Sequence, residues 1–408
     1  MFGWEYPPHH SGGLGVACKG MAHALIDNEV HVCFVLPKTL RITDSKVELR
    51  FADEHIGKII ETPHLEILAR ELQNPYISSV EYEKRLRTFI QAGGTIIPRT
   101  MMEQVDHYAA LVHTFSKEEL AEYDVIHAHD WLCYPAGLAA KKITGKPLVV
   151  HVHATEFDRC GGNNINQQVY DRERQGMHEA DHVVTVSEFT KKTVVEKYGI
   201  HPDKITVVHN GNTSPVEGRG TRFTSLQLIK DSGKKIILYA GRITIQKGVD
   251  YFVHTAKRVI EHDTNVYFIV AGTGDMEQQM KSLVADLGMN NYFLFTGYYT
   301  LEDLPDLFSL ADVMVIPSVS EPFGIIPLES LSYKTPLILS KQSGASEVIS
   351  HALKVDFWDT DRMANNILAI IQHQSLKETL QWEGWKQVQG ITWDKAAKKM
   401  KELYQSIS

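Results

Sequence analysis

The sequence predicts an α/β protein built from two doubly wound, parallel-sheet domains, and three observations carry that reading. The chain has 408 residues, too many for one ordinary core and enough for two domains of ~200 residues each. Short apolar runs bounded by turn residues alternate with stretches of helical periodicity, the rhythm of strand–helix–strand units. The alternation stops across a Gly-, Ser- and Arg-rich stretch at 213–233 and then restarts. The expected boundaries are 1–213 for the first domain and 214–392 for the second, with a terminal helix at 393–408 that packs back on the first.

Composition narrows the function class. Hydrophobic residues make up 43% and charged residues 23%, globular values. A net charge of −8 without a long Lys/Arg cluster excludes a nucleic-acid binder. The densest basic run, Lys84-Arg85-Leu86-Arg87, reads as a solvated helix face, with contact to anionic lipid as the alternative. No run of ~18 apolar residues marks a transmembrane helix, and the N-terminus lacks a signal peptide's regions. The four cysteines, Cys18, Cys33, Cys133 and Cys160, have no CxxC spacing, so a reduced, cytoplasmic protein is expected. The 20 histidines are scattered without HExxH-like spacing, so no dedicated metal site is expected. Oligomeric state is left open.

In chain order, residues 1–4 read as the tail of a strand. A glycine-rich loop (5–15) leads into a helix that runs through about 27, and 30–36 is the next strand. Residues 37–100 read as an elaborated insertion, with a helix at 75–89 capped by Ser79 and a Gly93-Gly94 turn. A helix at 100–115 precedes a strand at 124–129, a helix at 134–142 and a strand at 147–152. A strand at 183–186, a helix to 198 and a strand at 204–208 complete the half. In the second half, strands are expected at 235–240, 266–271, 292–295, 312–316 and 336–339. Helices are expected at 247–261, 275–287 and 301–310, and a charged amphipathic helix at 393–407.

Ligands of such sheets bind beyond the carboxyl ends of the strands, and that is where the polar clusters fall. Gly12, Gly13 and Gly15 would let the backbone approach a ligand closely. A glycine loop opening a helix is also a phosphate cradle, and a plain tight turn is the competing reading. The loop is neither GxGxxG nor a P-loop, so no dinucleotide or ATP site is inferred. His129-Asp130, His153 and Asn210-Gly211 sit at neighbouring strand ends. In the second half, Gly241-Arg-Ile-Thr-Ile-Gln-Lys-Gly248 puts two cations, Arg242 and Lys247, on one strand-to-helix loop, suited to phosphate oxygens. The turn at Gly272 and Gly274 would border a nucleotide base, and 340–347 would close the same edge.

The stretch PSVSEPFGIIPLESLSY (317–333) organises these pieces. A strand ends at Pro317-Ser318, a loop carries Glu321, and a helix is expected from near Gly324, with Glu329 about a turn and a half into it. Free N–H groups at that helix start attract an anion such as a diphosphate. A carboxylate further along can accept two hydrogen bonds from vicinal ribose hydroxyls. The other carboxylate can hold sugar hydroxyls. The bland alternative is a loop and an amphipathic helix with two solvated glutamates.

The pattern resembles the EPFG-x4-E element of retaining family-4 glycosyltransferases, the group that contains bacterial glycogen synthases. The similarity continues through WEYPPHHSGGLG, HAHDW, HVHATEFDR, TVSEFT, VVHNG, GRITIQKG and ADVMVIPSVSEPFGIIPLES to the terminal helix, leaving only the insertion near 37–100 unmatched. The resemblance implies the GT-B architecture, two facing Rossmann-like domains with the active site in the cleft. It also implies transfer of a hexose, with glucose favoured, from a nucleotide-diphosphate sugar (UDP- or ADP-glucose) to a carbohydrate acceptor, with no cofactor required.

By the same resemblance, Arg242 and Lys247 neutralise the donor diphosphate and Glu329 holds the ribose. Glu321 and the amides of Phe323, Gly324 and Ile325 position the sugar. Gly12-Gly13 and Gly241 face the diphosphate, and His153 stands beside the sugar, where its carbonyl or ring assists developing positive charge. His129 and Asp130 lie on the acceptor or sugar side. One departure counts against an ADP-glucose glycogen synthase: that group has a Lys two residues before GGLG, where this chain has His10-Ser11. HATEFDR and the segment at 354–361 keep it near the glycogen-synthase-like branch. The rivals are a hydrolysing UDP-sugar 2-epimerase and a non-catalytic nucleotide-sugar-binding module.

Overall fold

The computed structural model describes every residue except 10, 11, 54–99, 114, 116, 214, 216–222 and 301. The expected helix at 75–89 with its Ser79 cap, the Gly93-Gly94 turn and the basic run at 84–87 lie outside the described residues. The chain divides into two compact units: residues 1–156, 164–211 and 393–408 form the first, and 157–163 with 212–392 form the second.

The first unit is built on β1 (Cys33–Leu36), β2 (Glu48–Phe51), β3 (Ile126–His129), β4 (Leu148–Val152), β5 (His182–Thr185) and β6 (Ile205–Val207). All pairs are parallel, in the orders β1-β2 and β3-β4-β5-β6. Phe2 joins the two sets by bridging to Val35 on β1 and Ala128 on β3, so the N-terminal residues are the seam of this sheet. β1, β3 and β4 are buried at every position; β1 reads as a continuous apolar run, while β3 and β4 carry His127, His129 and His151 among their apolar residues. β2 falls inside the stretch read as an insertion. Its exposed and half-buried Glu48, Leu49 and Arg50 mark it as an edge strand among the described residues, and such a strand carries no continuous apolar run.

The helix Trp393–Ile407 packs in this unit against Gly13–Asp27. A Cβ on Gly20 would stand 2.4 Å from the Trp393 ring, so glycine there lets the indole lie flat on the helix. Asn28 Nδ2 donates to Asp394 (3.0 Å) and Lys401 to the Asn28 carbonyl (2.6 Å), which pins the terminal helix along its length.

The second unit is a six-stranded parallel sheet in the order β12-β11-β10-β7-β8-β9, with β7 Lys235–Ala240, β8 Val266–Ala271, β9 Phe293–Gly297, β10 Val313–Ile316, β11 Leu337–Ser340 and β12 Leu353–Val355. Strand order runs outward in one direction from β7 to β9 and in the other from β10 to β12, so the sheet reverses between β7 and β10. Ile237, Phe252, Phe268, Val313, Val315 and Ile367, each fully buried, centre one core. Asp312, 1% exposed, sits at the start of β10. It accepts from Lys230 (2.6 Å), Lys377 (2.5 Å) and the Ile236 N–H (2.9 Å). Those bonds hold its carboxyl below the usual range despite burial. A carboxylate taken out of water needs such partners.

Lys230 lies on a helix, Thr224–Asp231, which corrects the reading of 213–233 as linker without periodicity. Eight residues are too few to display a pattern that separates a short helix from a polar loop. A second correction concerns the helix expected from near Gly324. It spans Ile326–Ser332, so Glu329 is its fourth residue and lies one turn in.

Candidate functional site

The predicted site residues fall into two groups, one at the carboxyl edge of each sheet. In the second unit Gly241, Arg242 and Lys247 follow β7, while Glu321, Phe323, Gly324, Ile325 and Glu329 follow β10. These strands flank the reversal of strand order, the place where doubly wound sheets bind ligands.

After β7 the chain makes a tight turn over Ile245–Lys247 and enters the helix Val249–His262 through Gly248 at φ 63°. A Cβ on Gly248 would stand 2.1 Å from the Pro317 carbonyl oxygen, so only glycine lets this loop lie against the end of β10. The Val319 N–H donates to the Gln246 carbonyl (2.9 Å) across the same contact. The approach brings the Lys247 ammonium onto the Glu321 carboxylate, with Ser318 Oγ 3.4 Å from the same oxygen. Arg242 is anchored at its root by Tyr239 Oη donating to its carbonyl (2.6 Å), and its guanidinium reaches Gln246 Oε1 at 3.4 Å.

Glu321 is held from below. Its N–H donates to Gln342 O (2.9 Å), and its own carbonyl accepts from Gly344 (2.8 Å). Phe323 is 1% exposed, so its ring belongs to the core and only its main chain is available to a ligand. The helix Ile326–Ser332 leaves its first-turn N–H groups without intrahelical acceptors. The Glu329 carboxyl makes no hydrogen bond or ion pair among the described residues, and burial pushes it up to about 7. Tyr299, itself pushed up by burial and by the Glu329 charge, lies beside it.

Gly272 and Gly274 have a packing explanation. A Cβ on Gly272 would stand 1.9 Å from the Gly241 carbonyl oxygen, and one on Gly274 2.2 Å from that of Ile243. The loops after β7 and β8 cross backbone to backbone there, and Ile243 N–H donates to Thr273 O (3.0 Å).

In the first unit, Gly12 is the extended residue before the helix Gly13–Asp27. A Cβ on Gly13 would meet nothing within 4 Å, so no packing within this unit requires glycine there. Glu5 Oε1 accepts from the Gly15 N–H (3.0 Å), so one donor of this helix start is already taken by a carboxylate of the same loop. Asp130 sits in the left-handed region at φ 61°, 2% exposed. Its Oδ1 accepts from the His153 N–H (2.8 Å) and the Ala154 N–H (3.2 Å). That carboxylate therefore fixes the backbone carrying His153. His129 Nδ1 and His153 Nε2 are 3.0 Å apart, and burial pushes the His153 imidazole down to about 3, so its ring is neutral.

Four residues around these groups were not singled out by sequence reasoning. Gln246, 4% exposed, ties the Arg242 loop to β10, and Ser318 supports Glu321. His127 and His151 stack on the rings of His129 and His153 at centroid distances of 4.2 Å. The signal for this last pair was the alternate-residue spacing His127-x-His129 and His151-x-His153.

The family described as Glycosyltransferase Family 4 matches residues 11–212, and that described as Glycosyl transferases group 1 matches residues 222–385. An uncharacterized glycosyltransferase of Methanocaldococcus jannaschii is 30% identical over 99% of this chain and 97% of its own length. A glycogen synthase of Mycobacterium tuberculosis is 26% identical over 86% of this chain and 79% of its own. An Anabaena protein solved with UDP-glucose superposes with a TM-score of 0.68 at 16% identity, covering 99% of this chain and 98% of its own.

Proposed function

The chain belongs to the family 4, group 1 glycosyltransferases and has the GT-B fold, and from that premise we propose that it is a retaining hexosyltransferase. It moves a hexose, glucose by preference, from a UDP- or ADP-sugar to a carbohydrate acceptor such as an α-glucan. Residues 214–392 form the donor domain; residues 1–213 with the 393–408 helix form the acceptor side. The four cysteines, none of them in a disulfide, favour a reducing, cytoplasmic compartment. No helix among the described residues is long and apolar enough to cross a membrane.

The observation that carries this reading is the convergence at the reversal of the second sheet. Arg242, the Lys247–Glu321 pair, the start of the helix Ile326–Ser332 and Glu329 all meet there. As the glycosidic bond to the diphosphate breaks, negative charge grows on the leaving phosphate. Arg242, Lys247 and the first-turn N–H groups stabilise that charge without a cation from solution. Lys247 is held by Glu321, so donor binding shares the ammonium between carboxylate and phosphate and leaves Glu321 oxygens for sugar hydroxyls. Glu329, once ionised, accepts the two ribose hydroxyls. In the first unit, Gly12 and Gly13 offer an open backbone to the donor. Asp130 and His129 hold His153 beside the sugar, and their own contacts make them positioning residues.

The test is nucleotide release from a panel of UDP-, ADP- and GDP-sugars, with and without glucan, by wild type and Glu321→Ala. Acceptor-dependent release from one donor, lowered about 100-fold or more in the variant, is the expected outcome. Release without acceptor would point to a hydrolysing epimerase, and donor binding without any turnover to a non-catalytic module.

A further inference from the structure

We infer that the buried face of the first unit's sheet carries a transition-metal site formed by His127, His129 and His151, of the chemistry that suits Zn²⁺ or Co²⁺.

The strands place the ligands. His127 and His129 alternate along β3 and so share one face, and the parallel register sets His151 of β4 directly beside His129. Helix packing closes the face: Tyr404 of the terminal helix reaches His127, and Cys18 of the helix Gly13–Asp27 lies among potential ligand atoms of His129 and His153. The three histidines are no more than 1% exposed, and one nitrogen from each lies within 4.8 Å of the others.

Donor and acceptor arithmetic then singles them out. His127 Nδ1 pairs with Tyr404 Oη at 2.5 Å, and His129 Nδ1 with His153 Nε2 at 3.0 Å. His127 Nε2, His129 Nε2 and both nitrogens of His151 are buried without a partner among the described residues. Each such orphan gives up the hydrogen bond water would have supplied, and four in one cluster is a concentration that ordinary cores avoid. A neutral imidazole has one N–H and one lone pair. In the tautomers that donate Nδ1–H of His127 to Tyr404 Oη and Nδ1–H of His129 to His153 Nε2, both Nε2 atoms carry free lone pairs.

A metal cation converts such lone pairs into bonds. Metal-bound histidines characteristically engage their other ring nitrogen in an orienting hydrogen bond, the role Tyr404 and His153 fill here. Nitrogen donors with a sulfur nearby and no carboxylate in the cluster favour zinc-like ions over Mg²⁺ or Ca²⁺. Metal–nitrogen bonds of ~2.0–2.1 Å in tetrahedral geometry need ligand atoms roughly 3.4 Å apart. The ligand nitrogens, which lie within 4.8 Å of one another, draw together as the metal binds.

The experiment is metal analysis of the full chain produced with Zn²⁺ or Co²⁺ in the medium, followed by X-ray absorption at the metal edge. The expected result is about one metal per chain, a first shell dominated by histidine nitrogen, and tetrahedral Co²⁺ absorption in the visible. The variant pair His127→Gln with His151→Gln should lower metal content about tenfold while circular dichroism shows the fold intact. If the pair fails to fold, the wild-type first shell decides: an oxygen-rich shell overturns the site. Less than about a tenth of a metal per wild-type chain, or full retention in the folded variant, overturns it too.

Discussion

The two sheet edges solve opposite electrostatic problems. At the edge of the second unit, charge is kept and paired: Lys247 lies on Glu321, Arg242 is tethered at its backbone, and Glu329 waits without a partner among the described residues. At the edge of the first unit, charge is suppressed. Imidazoles are stacked and buried, His153 is held neutral, and the carboxylates of Asp130 and Glu5 are spent on backbone N–H groups. Their glycines differ in the same way. Gly248 and Gly272 are demanded by backbone crossing, whereas Gly13 faces open space. One edge carries ionised side chains, the other orients buried neutral groups.

The sharpest test of that contrast is Gly272→Ala. It forces a Cβ to 1.9 Å from a carbonyl oxygen at φ 135°, and should cost about 3 kcal/mol or more, read as an earlier denaturant midpoint. Wild-type stability in this variant would mean the loops do not cross as described.

Glu329→Gln probes the unpaired charge. A carboxyl raised to about 7 in the folded chain, from an ordinary 4.5, binds its proton more tightly when folded. Its contribution to stability therefore falls as pH rises from 4.5 to 7, and the cost is fully present above 7. The side chain keeps some solvent contact, which limits that cost to about 1–2 kcal/mol. The variant should melt higher than wild type at pH 8 and equally at pH 4. Donor affinity of wild type should strengthen as pH rises through about 7, and that of the variant should be weaker and flat. A variant with wild-type pH dependence would remove Glu329 from the ribose site.

Gly13→Ala gives the smallest change in stability, within about 0.5 kcal/mol, because nothing lies within 4 Å of the new methyl. If the loop meets donor, affinity should nevertheless fall roughly tenfold, about 1.4 kcal/mol. Unchanged affinity would make it a plain turn.

Much of the fold was legible because buried parallel strands are uninterrupted apolar runs. Lys235–Ala240 and Val266–Ala271 carry their own boundaries, and Trp393–Ile407 shows its helical face in its own periodicity. The placement of the candidate site's charged residues was legible for a related reason, since strand ends at one sheet edge are where polar side chains gather. What the sequence could not express is pairing. β2 has too little burial to announce itself, and the order β12-β11-β10-β7-β8-β9 depends on contacts between runs that look alike one at a time. Only that order sets the β7 loop against the β10 loop and so brings Lys247 to Glu321, 74 residues on. The register of β3 and β4 does the same for the histidines: two alternate-residue pairs, unremarkable apart, become one buried cluster. Local periodicity is written in neighbouring residues, while charge pairing and imidazole clustering are properties of distances that exist only once the sheets have formed.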